Sequence, residues 1–389
     1  MHIAFFTHPA FTAHQSMPRF ARMLAEGMRA RGHTVELWAP PARLVKLPAP
    51  AALRKWLGYL DQYLLFPRQV RQWLASRPAS TLFVFTDQAL GPWIPLVAAR
   101  PHVIHCHDFL AQRSALGELP ANPVSWTGRQ YQAYIRRGYS QGQRFISVSH
   151  ATRQDLHRLL GTPPRSSEVV YNGLNQAFAP HDVPEARHAL GQYADLDLGA
   201  GYLLHVGGNQ WYKNRPGVLA LYEAWRAAGS SPLPLLLIGE PASAELHAQR
   251  ERSAFKQDIH FLSGVGDELV RLAYAGATVF LFPSLAEGFG WPIAEAMAAG
   301  CPVITTPEAP MTEVGGDAAF YLPPQPAGQA AAWAAVGAQV VQQVVGLDPT
   351  ARQAAVAAGL ANARRFEATA ALDQIEALYQ AALPQPTAA

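Results

Sequence analysis

Cysteine is nearly absent from this sequence. Its 389 residues include only Cys106 and Cys301, far apart in the chain. That excludes a disulfide framework and a cysteine-ligated zinc site, and it fits a reducing compartment. Charge is sparse too: 15% of residues are charged and 49% are hydrophobic. Such a chain can bury a large core and is not disordered as a whole. No apolar run reaches the roughly 18 residues that span a bilayer. The N-terminal apolar run at residues 2–7 has no basic segment before it and meets His8 and Pro9. It reads as a strand and not as a leader, and the expected location is cytoplasmic. Glycine is missing from Thr7 to Met17, so no Gly-x-Gly-x-x-Gly fingerprint follows the first strand.

What is present is unevenly spread. Residues 1–183 hold 20 Lys/Arg and 9 Asp/Glu, a charge of +11, whereas residues 184–389 hold 11 and 19, a charge of −8. A basic first half suits an anionic partner. Genome base composition is the plainer source of the same arginine excess.

The length fits two domains. In the first half, strands at residues 2–7, 34–39, 81–86, 102–107, 145–149 and 168–171 alternate with helices such as 18–31 and 152–160. Apolar Phe20, Met23, Leu24 and Met28 give the first of these its helical period. A Pro/Ala-rich stretch at 179–189 reads as a linker. The pattern then restarts with strands at 202–206, 235–238, 259–262, 279–282 and 303–305. Short apolar strands alternating with helices specify a parallel sheet covered on both faces. The expected fold class is therefore α/β, with two Rossmann-like domains whose parallel sheets face a cleft. The expected domains are 1–183 and 184–365. Residues 349–383 read as an alanine-rich helical tail, amphipathic over 361–379.

Ligands of open α/β sheets sit outside the carboxyl ends of the strands. The segment after the strand at 279–282 is the most informative such loop. It runs Pro283-Ser284-Leu285-Ala286-Glu287-Gly288-Phe289-Gly290-Trp291-Pro292-Ile293-Ala294-Glu295 and continues to Gly300. Pro292 suits a helix start and Gly300 a helix end. Gly288, Phe289 and Gly290 then offer amides at a helix N-terminus, where a diphosphate is favoured. Glu295 is expected in the first turn, able to accept from a ribose diol. A capped helix with two surface glutamates is the bland alternative.

Glu287 and Glu295, with Gly-Phe-Gly-x-Pro between them, resemble the paired-glutamate signature of retaining glycosyltransferases of the GT-B fold, family 4 (glycosyl transferases group 1). The resemblance extends over nearly the whole chain. It includes Val148-Ser149-His150-Ala151-Thr152, Val170-Tyr171-Asn172-Gly173, Gly264 and residues 267–277, and Glu313-Val314-Gly315-Gly316-Asp317. It implies two GT-B domains, with a final helix at about 366–389 crossing back to the first and hinges near residues 178–183. It also implies a nucleotide-sugar donor, a UDP- or GDP-sugar, held by the second domain without a metal. Glu295 would hold the ribose, Gly264 and Val265 would read the base, and Glu287 would orient the sugar.

Two further motifs fit that implication. His205-Val206-Gly207-Gly208-Asn209-Gln210-Trp211-Tyr212-Lys213 is a strand end, a glycine turn and a lysine suited to a departing diphosphate. Family members commonly carry an Arg-Lys pair where this chain has Tyr212 and Lys213, and some have an arginine where it has Gly207. The arginine contribution is missing, so phosphate charge falls on Lys213 and the helix N-terminus. A solvated surface lysine is the alternative. His105-Cys106-His107-Asp108 places two histidines on one strand face. The resemblance implies that His107 faces the donor sugar; a metal pair and satisfied core histidines stay open beside it.

His14, Gln15, Ser16 and Arg19 stand where family members often carry glycines, which makes His14 and Arg19 the candidate acceptor contacts. Asp195-Leu196-Asp197 has the Asp-x-Asp form of metal-dependent transferases but does not follow a strand, and reads as a solvated pair. Residues 53–77 interleave Arg54, Lys55, Arg68, Arg71 and Arg77 with Trp56, Tyr59, Tyr63, Phe66 and Trp73. This suits either an anionic membrane face or helices with inward aromatics; nothing else supports nucleic acid. The reading is a metal-independent retaining hexosyltransferase acting on a glycan or lipid-linked acceptor in polysaccharide assembly, cytoplasmic or peripheral at the inner membrane face. Its rivals are a nucleotide-sugar epimerase or hydrolase, a metal-dependent hydrolase on His105 and His107, and a non-catalytic sugar-nucleotide binder.

Overall fold

The structure, a computed structural model, describes residues 1–12, 16–174, 177–229, 231–326 and 328–384. The chain divides into two compact units: Met1–Asn175 with Ala368–Ala389, and Gln176–Glu367.

The first unit is built on strands β1 (His2–Phe6), β2 (Thr34–Trp38), β3 (Leu82–Phe85), β4 (His102–Cys106), β5 (Arg144–Ser147) and β6 (Ser166–Val169). Their spatial order is β2-β1-β3-β4-β5-β6, and every pairing is parallel. The second unit carries β7 (Leu203–Val206), β8 (Leu235–Gly239), β9 (Ile259–Ser263), β10 (Val279–Phe282), β11 (Val303–Thr305) and β12 (Phe320–Tyr321). Their order is β12-β11-β10-β7-β8-β9, again all parallel. Helices on both faces make the central strands unbroken apolar runs. Leu-Phe-Val-Phe in β3 and Val-Phe-Leu-Phe in β10 are buried at every residue. Aromatic rings fill one side of the first sheet, where Phe6 stacks on Phe85 at 4.5 Å and meets Trp38 edge-on at 5.4 Å.

Each sheet has one point where the chain reverses its direction of growth. In the first it lies between β1 and β3, in the second between β7 and β10. Loops after these strand pairs frame the crevice where such folds bind ligands.

Three expectations about elements need correction. Residues 179–189 are no linker: the helix Val183–Ala194 starts there, with Asp182 accepting from the Glu185 amide and a proline in its first turn. The Pro/Ala composition hid an ordinary helix start, since proline is tolerated in a first turn. Asp195 accordingly ends a helix, in the left-handed region, instead of lying in a linker. The alanine-rich tail is not continuous over 361–379. The helix Pro349–Ala363 is followed by a tight turn at Arg364–Phe366 before the helix Ala368–Ala382 begins. Phe366, fully buried against Phe289, anchors that break. The two-residue strand β12 carries too short a signal to be read.

The helix Ala368–Ala382 packs on the first unit. Leu372 covers Gly27, where a Cβ would come within 2.6 Å of it. Arg31 pairs with Asp373 and Glu376, and the Tyr379 hydroxyl lies 2.7 Å from His105 Nε2. Residues 53–77 form the helices Ala51–Leu60 and Phe66–Ala75 joined by a wider π-helical turn at Asp61–Leu65. Phe66 is fully buried and Tyr63 bonds Tyr131, while Trp56 stays 62% exposed beside Leu53, Leu60 and Leu64.

Candidate active site

In the second unit the loops after β7 and β10 flank the point of reversal. Gly207 follows β7 so closely on its neighbours that a Cβ there would meet His205 Nε2 at 2.9 Å. Across from it, a Cβ on Gly239 would meet the Gly207 carbonyl oxygen at 2.1 Å. A side chain larger than hydrogen has no room at Gly207 or Gly239 unless these neighbours shift. The chain continues past Gly208 into the short turn Trp211–Lys213 and then Asn214, whose φ of 53° lies in the left-handed region. Asn214 tolerates this backbone, and its Nδ2 donates to the Pro283 carbonyl at 3.0 Å and to Gln325 at 2.8 Å. The Leu285 amide donates to the Tyr212 carbonyl at 2.8 Å. Both loops are thus tied to each other.

This tie puts two of the expected catalytic residues in contact. Lys213 Nζ lies 2.8 Å from Glu287 Oε1, with side chains 15% and 8% exposed. The ammonium also lies over the rings of Phe282 and Tyr212, at 5.1 and 5.4 Å. A cation this withdrawn is not the solvated surface lysine of the alternative reading.

The loop after β10 ends at Gly290, with φ of 99°, and enters the helix Trp291–Ala298. Only glycine holds that conformation without strain. Phe289, between Gly288 and Gly290, turns its ring into the core, 4% exposed, against Trp291 and Phe366. Glu295 is the fifth residue of this helix, and its first turn has no acid. The expectation of Glu295 in the first turn is therefore corrected to the second turn, because the helix begins at Trp291. Its Oε2 accepts from the Tyr274 hydroxyl at 3.0 Å. Burial first, and the Glu295 charge second, push that phenol well above its ordinary range, so it stays a donor. Gly264, φ 72° with open space around it, and Val265 follow β9 at the edge of the sheet.

Two residues here were not legible as site residues. Arg215 opens the helix Arg215–Ala227, where an arginine reads as surface, yet it is 2% exposed. Its Nη1 donates to Asn209 Oδ1 at 2.5 Å and to the Glu240 carbonyl at 3.0 Å, bracing the glycine loop from behind. His205 is fully buried, and burial lowers its pKa to about 3. Its Nδ1 lies 2.9 Å from the Leu281 carbonyl, which fixes the proton on that nitrogen.

In the first unit His107 follows β4. It is 7% exposed, its Nε2–H donates to the Thr86 carbonyl at 2.9 Å, and its ring meets Phe20 edge-on at 4.4 Å. Burial lowers its pKa against the opposing pull of Asp87, so the ring is neutral. His105 turns to Tyr379, and burial brings it down to about 3. The two Nε2 atoms thus serve different protein partners. Among the described residues no three His, Cys, Asp or Glu side chains are placed to hold an ion together. Arg19 is exposed near the start of the helix Ser16–Ala30. His14 and Gln15 lie outside the described residues.

Comparison with known proteins matches both halves. The family described as Glycosyltransferase Family 4 matches residues 17–178, and that described as Glycosyl transferases group 1 matches residues 200–343. The chain is 28% identical to O-antigen chain mannosyltransferase B of Escherichia coli over 240 residues, 61% of this chain and 60% of that protein. It therefore spans about three fifths of that relative. Against the phosphatidyl-myo-inositol mannosyltransferase of Mycobacterium leprae it is 26% identical over 379 residues, covering 92% and 90%. Among solved structures, WaaG, a glycosyltransferase involved in lipopolysaccharide biosynthesis, superposes with a TM-score of 0.71 at 17% identity, covering 97% of this chain and 99% of that one. Anabaena HepE in complex with UDP gives 0.68 at 18% identity, covering 98% and 100%. These likenesses show the fold, GT-B.

Proposed function

Because the chain belongs to glycosyltransferase family 4, the glycosyl transferases of group 1, we propose that it moves a hexosyl group from a nucleoside diphosphate sugar to a hydroxyl of a glycan or lipid-linked acceptor, with retention at the anomeric carbon and without a metal. The observation that carries this is the Lys213–Glu287 contact at the point where the second sheet reverses.

The chemistry follows from the groups on each loop. Charge grows on the diphosphate as its bond to the sugar breaks. Lys213 and the amides of Gly288, Phe289 and Gly290 are fixed before reaction, and such preorganised donors stabilise developing charge at little reorganisation cost. They take the part a metal ion fills in other transferases. With phosphate near Lys213, the Glu287 carboxylate exchanges its ammonium partner for sugar hydroxyls and orients the hexose. Glu295, steadied by Tyr274, takes the ribose diol; Gly264 and Val265 offer backbone to a uracil or guanine edge. Gly207 and Gly208 leave room for the pyrophosphate. His107, neutral and held by Thr86, is assigned to the sugar by the family resemblance, and the basic first unit, with Arg19, to the acceptor.

Relatives named mannosyl- and glucosyltransferases support a hexose, and a HepE structure holding UDP supports a uridine arm. A peripheral contact with an anionic inner-membrane face is included in the proposal. Its support is the exposed Leu53, Trp56, Leu60 and Leu64 among exposed Arg54, Lys55, Arg68 and Arg71, a mixture suited to an interface.

The test follows transfer from UDP-glucose and GDP-mannose to n-octyl α-D-mannopyranoside by proton NMR, with and without EDTA. An α-linked product whose rate ignores the chelator is the expected result. A β-linked product overturns retention, and loss of turnover with EDTA overturns metal independence. Donor consumption without any acceptor product points to a hydrolase instead.

A further inference from the structure

The charge of Arg215 stands where its protein surroundings disfavour it. The side chain is 2% exposed, so the guanidinium has left water, and a buried charge ordinarily needs an ionic partner. The acceptors it reaches are neutral: Asn209 Oδ1 at 2.5 Å and the Glu240 backbone carbonyl at 3.0 Å. Its Nε and Nη2 are buried and reach no acceptor among the described residues. Arg215 also opens the helix Arg215–Ala227, whose first turn has no acid, and a cation is disfavoured at a helix N-terminus. Burial accordingly lowers its pKa, against the pull of the Glu240 charge.

What the guanidinium holds is the end of the glycine turn. Asn209 is pinned at three atoms. Its Oδ1 accepts from Arg215, its Nδ2 donates to the Pro241 carbonyl at 2.7 Å, and its amide donates to Glu240 Oε2 at 2.9 Å. The guanidinium also lies over the Phe261 ring of β9, at 5.6 Å. Arg215 thus ties the loop after β7 to the loop after β8. The two residues before it tie the other side, since Lys213 reaches Glu287 and Asn214 reaches Pro283, both after β10. Both cations bear on the ground beneath Gly207. A Cβ at Gly207 would stand 2.9 Å from His205 Nε2 and 3.7 Å from the Lys213 stem. Burial first, and then the charges of Arg215 and Lys213, lower the pKa of that histidine.

We infer that Arg215 is a second cation of the donor site: from behind the glycine loop it fixes Gly207-Gly208-Asn209 for the pyrophosphate of a nucleoside diphosphate sugar and adds positive charge that the bound diphosphate neutralises. It is a positioning residue, acting through Asn209 and through its field and not by contact with the donor. This rests on the glycosyltransferase reading, in which Gly207 and Gly208 make room for the pyrophosphate, and adds a residue to which that reading gave no part. A pyrophosphate on the loop supplies the anion that the protein does not place against the guanidinium. Local rules of burial and helix charge are broken here at a functional site, where such breaks are expected.

The experiment takes whichever of UDP and GDP binds the wild type and measures, by titration calorimetry, Kd for that diphosphate and for its monophosphate. It compares wild type, Arg215→Met, Arg215→Gln and Arg215→Lys, with urea titrations confirming that each is folded. Arg215→Met is expected to weaken the diphosphate by about tenfold and the monophosphate by a smaller factor, because attraction to a cation grows with phosphate charge. Arg215→Gln, which keeps a side-chain donor without the charge, is expected to do the same, and it decides the matter if Arg215→Met does not fold. Arg215→Lys keeps the charge and is expected to bring the ratio of the two Kd values back toward that of the wild type. An arginine with a structural role alone would weaken both ligands by one factor. Equal factors for the two ligands, or an unchanged diphosphate Kd, in the charge-free variants overturn the inference. A wild type that binds neither diphosphate overturns the nucleotide-sugar reading and this inference with it. A wild type that binds one, with the ratio unchanged in Arg215→Met and Arg215→Gln, overturns the inference alone.

Discussion

At the scale of single residues, Lys213 and Glu287 hold each other at 2.8 Å. Their withdrawal from water makes the pair costly to break from one side, by about 3 kcal/mol, since the partner is left as a poorly solvated charge. Lys213→Ala and Glu287→Ala should each lower the unfolding free energy from urea titration by that order. The double variant should lose less than the sum, with a coupling of about 1–3 kcal/mol; strict additivity would mean the contact is not formed in solution. A second prediction concerns pH. Burial brings His105 and His205 to about 3, whereas an unfolded histidine titrates near ~6.5. Between these values the unfolded chain binds more protons, so stability must fall as pH falls from about 6.5 toward 3. Each ring contributes up to about 1.4 kcal/mol per pH unit. Urea titrations at pH 7.5, 6 and 5 should show this slope, and His105→Asn should flatten it. The spacing of Glu287 and Glu295 was legible because it lies in one run of sequence. The partners of Lys213 and Arg215 were not, because they are fixed by which strands neighbour each other.

At the scale of elements, the helix Trp126–Tyr139 and the turn Gln88–Leu96 in the first unit approach backbone to backbone. A Cβ on Gly138 would meet the Gly91 carbonyl oxygen at 2.1 Å, and one on Gly91 would meet the Ile135 carbonyl oxygen at 2.3 Å. In an isolated helix Gly138→Ala gains about 1 kcal/mol. Here backbone must move, and overpacking of this kind costs about 1–3 kcal/mol. We expect Gly138→Ala and Gly91→Ala both to destabilise; a rise in the denaturation midpoint would show that the two elements are further apart. Strand positions were legible within a residue or two, since buried parallel strands are apolar runs. The helix Val183–Ala194 and the break at Arg364–Phe366 were not. In the first, alanine and proline masked a capped start; in the second, the stop is set by the burial of Phe366 and not by any breaker residue.

At the scale of the whole molecule, the last helix belongs to the first unit although the chain reaches it through the second. Tyr379→Phe should cost about 1 kcal/mol by removing the bond to His105. Ending the chain after Glu367 should lower the first unit's melting temperature far more, by uncovering Gly27, Arg31 and His105 together; calorimetry reads this directly. The charge division of the sequence, +11 before residue 184 and −8 after it, falls close to the boundary between the units. The measurement that bears most directly on the central claim is a set of thermal melts with UDP, GDP and ADP, with and without EDTA, on wild type and Lys213→Ala. A ligand at about 100 times its Kd adds about 2.7 kcal/mol to stability. The account predicts that UDP or GDP raises the wild-type melt, that EDTA changes nothing, and that Lys213→Ala abolishes the rise. No rise with any diphosphate, or a rise that survives Lys213→Ala in full, would contradict it.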